Sequence, residues 1–147
     1  MEIVIGGEYG EATADRHIWP VQKRFNDCFK KHLKGPYFKT FNEFGIAFRV
    51  SGKITDFGFD GPERMKKLRS KPGIGIDLSF PESSWKGVEE ADIREKVISG
   101  VLECLRLMTQ KTKEMKELTD LDSFQQDLEK VFSEITETDF KINWDLS

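Results

Sequence analysis

The sequence predicts an α+β domain: an antiparallel sheet of about four strands with helices packed on one face, in the order β-α-β-β-β-α-α. Three patterns predict it. Apolar residues alternate with small or polar ones over Phe44–Val50 and again over Gly73–Phe80, the period of a strand with one buried face. Apolar residues recur at three-four spacing over Ile18–Leu33 and, for far longer, from Glu89 to about Glu117. No apolar run approaches the length of a membrane-spanning helix.

Taken in order, Ile3, Val4 and Ile5 followed by Gly6-Gly7 predict a short first strand ending in a turn. A helix follows between Thr13 and Leu33, with Ile18, Val21, Phe25, Cys28 and Phe29 on one face and Gly35-Pro36 closing it. Pro20 suits a first helical turn but would kink a helix already under way from Asp15, so the start stays open. Phe44, Ile46, Phe48 and Val50 form the buried face of a second strand. Ser51-Gly52 offers a tight turn into Lys53–Phe59, which predicts a β-hairpin. Gly61-Pro62 opens a short basic segment, Arg64–Lys71, and Ile74, Ile76, Leu78 and Phe80 mark a fourth strand. The long helix from Glu89 carries Ile93, Val97, Val101, Leu105, Met108, Thr112 and Met115 as one stripe, flanked by Ile98, Leu102 and Cys104 or Leu107. Asp122 with Gln125 resembles a capping box for a last helix through Phe124, Leu128, Val131, Phe132 and Ile135 to about Thr136.

A chain of 147 residues can bury one sizeable core and is short for two, so residues 1–147 are read as a single domain. With 37% hydrophobic residues and 12 phenylalanines, that core is built around Phe rather than disordered. Met1–Gly10 lacks the basic start and apolar stretch of a secretory signal, and the expected location is the cytoplasm. Cys28 and Cys104 fall far apart in apolar helical patterns and are read as buried free thiols, not a disulfide or a zinc site.

Charge is distributed unevenly. From Lys116 to Ser147 nine carboxylates face three lysines, a net of −6, whereas the whole chain carries −3. The first 115 residues therefore hold +3. A one-sign field of that size draws an oppositely charged partner and repels nucleic acid and anionic lipid. The basic run Lys66, Lys67, Arg69 and Lys71 is read as a solvated face, because a pI near 5.5 argues against a nucleic-acid footprint.

Constellations that carry chemistry are sparse. Gly6-Gly7-Glu8-Tyr9-Gly10 matches neither the dinucleotide nor the Walker spacing and reads as a plain strand-to-helix turn. His17 and His32 lie fifteen residues apart, about four turns along one helix, and cannot be joint ligands. Asp56, Asp60 and Asp77 fall on or near neighbouring strands, where a carboxylate pair for general acid–base work is conceivable, yet each also occupies an ordinary turn or polar-face position. No nucleophile elbow or catalytic cysteine signature is present. Trp85 is read as packing the sheet-to-helix corner, and Trp144 either folds onto the core or serves a partner.

The segment Phe44–Met108 carries a Ser-Gly turn, then KPGIGIDLSFPESSW, then a long helix opening EEADIREKVISGVLECL. In this it resembles small immunity proteins of bacterial contact-dependent growth inhibition and related polymorphic toxin systems. The resemblance implies a cytoplasmic, non-enzymatic protein that binds the C-terminal domain of a cognate toxin and blocks it. Such proteins have many unrelated folds and no shared catalytic signature, so no site residue transfers by motif.

Many of those toxins are nucleases with a basic cleft, which a carboxylate-rich inhibitor complements. The expected partner-binding residues are accordingly Glu117, Asp120, Asp122, Asp127, Glu129, Glu134 and Glu137, with no catalytic residue, metal or cofactor. On one helix Asp127, Glu134 and Glu137 would share a face while Glu129 projects elsewhere. The alternatives are a small hydrolase or nucleotide-binding enzyme using Asp56, Asp60 or Asp77, and a structural subunit of a larger complex.

Overall fold

Phe44, Ile46 and Phe48 stand opposite Ile74, Ile76 and Leu78 in register, on two strands that run in the same direction. The computed structural model describes residues 2–4, 18–49, 56–60, 73–79 and 87–141. Its strands are β1 (Glu2–Val4), β2 (Glu43–Arg49), β3 (Asp56–Asp60) and β4 (Gly73–Ser79). They form a single sheet in the order β1-β2-β4-β3.

The expectation of an antiparallel sheet is overturned. β1 pairs with β2 and β2 with β4 in parallel, and only β3 against β4 is antiparallel. Nor do β2 and β3 pair as a hairpin, because β4 lies between them. The physical reason is in the register: rows run Phe44–Ile74–Phe59 and Ile46–Ile76–Phe57, so the isoleucine-bearing strand has a phenylalanine-bearing strand on each side. Period-two alternation assigns a face to each strand but not a neighbour. The Ser51-Gly52 turn, the basic segment Arg64–Lys71, the Gly6–Gly10 turn, His17, Trp85 and Trp144 lie outside the described residues.

Helix α1 (Trp19–His32) begins with Pro20 in its first turn, where the missing amide hydrogen costs nothing. It lies on the apolar face of the sheet: Phe25 meets Phe48 edge-on with centroids 5.2 Å apart, and Phe29 meets Phe44 at 5.1 Å. Two buried polar side chains one turn apart fasten the same contact. Gln22 Oε1 accepts from the Phe48 amide at 2.9 Å, and Asn26 Nδ2 donates to the Ile46 carbonyl at 3.3 Å. Both backbone groups lie past the described pairing of β2 with β1, which covers Glu43–Gly45, so α1 side chains supply partners to β2 beyond that pairing.

Helix α2 (Glu90–Glu114) buries Ile93, Val97, Val101, Cys104, Leu105, Met108 and Thr112. It ends in a Schellman arrangement: Lys116 N–H donates to the Lys113 carbonyl and Glu117 N–H to that of Thr112, with Lys116 at φ 59°. Helix α3 (Leu121–Glu134) is capped by Asp120, whose carboxylate accepts from the Ser123 amide at 3.1 Å. The cap thus sits two residues before the Asp122–Gln125 pair that the sequence suggested. A 3-10 turn (Glu137–Phe140) follows, closed by reciprocal bonds between Thr136 and Asp139. Phe25, Phe29, Phe44, Phe48, Phe124 and Phe140 all join one buried core.

Candidate functional site

The acidic C-terminal third is where the sequence places a partner surface, and its described carboxylates divide into those already engaged and those free. Glu117 is buried and serves the fold: its carboxylate accepts from the Thr40 amide at 3.0 Å and from the Thr40 hydroxyl. The Lys39 amide donates to the Glu117 carbonyl at 2.8 Å, so this residue ties the α2–α3 connection to the segment between α1 and β2.

Asp127 is half-buried and accepts from the Tyr37 hydroxyl at 2.6 Å, with Lys130 Nζ at 3.4 Å. Burial, then this bond, pushes the Tyr37 hydroxyl up to about 12. Glu134 meets Lys31 Nζ at 2.7 Å and His32 Nε2 at 2.8 Å. Those two bonds, Lys31 first, hold its carboxyl down to about 2. Cys28, a buried free thiol, points its sulfur at Glu134 Oε2 from 3.8 Å, and burial pushes that thiol up from its ordinary value. Asp139 pairs with Arg24 Nε at 3.1 Å, and Arg24 also donates to the Glu134 carbonyl.

Part of the charge asymmetry is therefore internal. Arg24, Lys31 and His32 on α1 face Glu134 and Asp139, and the positive N-terminal part docks the negative C-terminal helix. The expected shared face of Asp127, Glu134 and Glu137 does not form: α3 stops at Glu134, Glu137 sits exposed in the 3-10 turn, and the other two carboxylates bond to the first forty residues. What remains solvent-facing is Asp120 at the cap, Asp122 in the first turn of α3, Glu129 and Glu137. Asp122, Glu129 and Glu137 make no side-chain hydrogen bond or ion pair among the described residues.

Glu129 stands at a groove of about 460 Å³ between α2 and α3. Leu102, Leu105, Arg106 and Thr109 form the α2 wall. Gln125, Leu128, Glu129 and Phe132 form the α3 wall. Each wall is one i, i+3, i+4, i+7 stripe. Leu102 is 48% exposed there, and Arg106 is bonded to Glu103 at 2.7 Å. Sequence reading placed Leu102 beside the main α2 stripe and missed the groove. The available signal was surplus width: Leu102 and Leu107 are exposed on a helix whose buried stripe is already complete, whereas Met115, expected to end that stripe, lies one residue past the helix and is 44% exposed.

The strand aspartates are related by register, Asp56 opposite Asp77 and Asp60 opposite Gly73. Among the described residues no group of three His, Cys, Asp or Glu side chains is placed to hold a metal ion. No helix among them is long and apolar enough to cross a membrane.

Comparison with curated proteins and with solved structures finds no match. A family model does match, over residues 1–134, and it takes in the described strands, the three α-helices found among the described residues and both walls of the groove. That family is immunity protein 44, and the chain belongs to it.

Proposed function

We propose that this protein binds the C-terminal domain of a cognate bacterial toxin of the nuclease class and neutralises it by covering the active site or an adjacent surface. The neutralisation takes place in the cytoplasm, within a contact-dependent growth inhibition or related system. Membership of an immunity protein family supports binding to a toxin. The observation that carries the charge-complementary mode is the set of exposed carboxylates without partners among the described residues, Asp122, Glu129 and Glu137, with Asp120 beside them at the α3 cap. Such groups are open to a basic surface and lose no internal bond among the described residues on binding. Glu117, Asp127 and Glu134 contribute to that surface by holding α3 and its connection in place.

The test is co-purification with the product of the reading frame immediately upstream, followed by a salt titration of the complex. Binding that weakens as salt rises from 50 to 500 mM supports the mechanism, since screening shortens to about 3 Å near 1 M. A complex indifferent to salt would refute charge complementarity, and no complex would refute the toxin-binding reading itself.

A further inference from the structure

We infer that the α2–α3 groove is the anchor point for an amphipathic helix of the toxin domain, with apolar side chains seated between the helices and a lysine or arginine paired with Glu129. This inference rests on the toxin-binding reading and specifies where and how the partner is held. The groove is a helix-shaped absence: its two walls are matching seven-residue stripes, each about 10 Å long at 1.5 Å per residue. Two turns of a third helix fit that length, and two helix ridges flanking a channel are what a third helix packs into.

The chemistry of the lining decides the occupant. Leu105 is buried at the floor, Leu128 and Phe132 are partly buried, and Leu102 is half-exposed, so an apolar anchor would remove existing apolar surface from water. The rim is asymmetric in charge. On the α2 side Arg106 is neutralised by Glu103, at 2.7 and 3.0 Å. On the α3 side Glu129 has no partner among the described residues and lies in the −6 segment. A cation on the incoming helix therefore has one unpaired acceptor, which fixes the helix's orientation in the groove. A partner helix with leucine or phenylalanine at three-four spacing and a flanking lysine or arginine meets both demands.

The experiment uses the full chain and the purified C-terminal domain of the upstream protein, carrying an inactivating substitution. Leu102→Glu puts a second carboxylate at the groove mouth, and Gln125→Trp fills the groove from the other wall while removing no apolar contact. Leu107→Glu changes another exposed leucine of α2 that does not line the groove. With thermal melts showing all three folded, the first two variants are expected to weaken binding at least about tenfold, and Leu107→Glu to stay within about twofold. Glu129→Lys is expected to flatten the salt dependence. If wild type binds and both groove variants bind equally well, the groove inference is overturned while the toxin-binding reading stands. If wild type does not bind, that reading falls and the inference with it. Should the free chain sediment as a dimer that Leu102→Glu dissociates, the occupant is a second copy, and the inference is overturned in favour of self-association.

Discussion

The Tyr37 hydroxyl donates to Asp127 Oδ2 across 2.6 Å, joining the segment after α1 to the middle of α3. The Tyr37 ring packs against Phe124 with centroids 5.0 Å apart, so bond and ring act on the same helix. Tyr37→Phe keeps the ring and removes the bond. It is expected to cost about 1.5–3 kcal/mol, the range for a hydrogen bond to a charged group, read from the urea midpoint at constant slope.

The same tyrosine makes an alkaline prediction. Its hydroxyl is held at about 12 in the fold against an ordinary 10. The folded state thus keeps its proton longer than the unfolded one, and the stability this contributes is complete below pH 10 and lost as pH rises towards 12. Ultraviolet titration of the phenolate should show one tyrosine ionising late, and Tyr37→Phe should remove that step while leaving Tyr9.

Glu134 governs the acid side. Its carboxyl sits at about 2 against an ordinary 4.5 because Lys31 and His32 bond the charged form. A depressed folded value contributes stability that is present above pH 4.5 and lost as pH falls towards 2. Glu134→Gln keeps acceptor and shape but cannot titrate. The stability gap between wild type and variant should therefore narrow steadily from pH 5 to pH 2, measured by denaturant midpoints at each pH. A gap constant over that window would show that Glu134 is not what couples α1 to α3.

How much of this was legible in the sequence depends on whether the deciding contact is local. The burial of Phe44, Ile46 and Phe48 on one face followed from alternation alone. Their neighbours did not, because β2 meets β4 across a chain separation that no pattern in either strand encodes. The acidic third was visible as a sum of charges, yet the partition between Glu134 and Glu129 was not. It depends on which carboxylates meet Lys31, His32 and Tyr37, residues about ninety to one hundred positions away. Gln22 and Asn26 were hidden for the opposite reason: polar residues on an apolar helix face look like exceptions until the β2 backbone groups they satisfy are in view.

Lys116 occupies the left-handed position that ends α2, at φ 59°. A residue with a Cβ is disfavoured there by about 1–2 kcal/mol, and glycine removes that penalty at the expense of a more flexible unfolded chain. Lys116→Gly is thus expected to stabilise by about 0.5–1 kcal/mol. Lys116→Pro, which deletes the amide that donates to the Lys113 carbonyl, should destabilise instead. Thermal melts of the two variants are expected to shift in opposite directions.

The separation of engaged from free carboxylates yields the most direct test of the binding surface. Asp122 and Glu137 are exposed and bond no described residue through their carboxylates, so Asp122→Lys with Glu137→Lys should cost only the favourable first-turn charges, about 0.3–1 kcal/mol each at low salt. Glu117→Ala strips the acceptor from the Thr40 amide and hydroxyl and should cost about 1–3 kcal/mol in stability. In binding the order reverses. Long-range attraction acts chiefly on the association rate, and against a toxin domain with the proposed basic surface the double lysine variant should associate about tenfold more slowly at low salt, with the difference shrinking as salt screens it. Stopped-flow association at 20 and 300 mM salt separates the two roles: a Glu117→Ala protein that is less stable but associates normally, beside a double variant that folds but associates slowly, is the expected pair. The opposite pairing would make Glu117 the partner contact and the exposed set incidental.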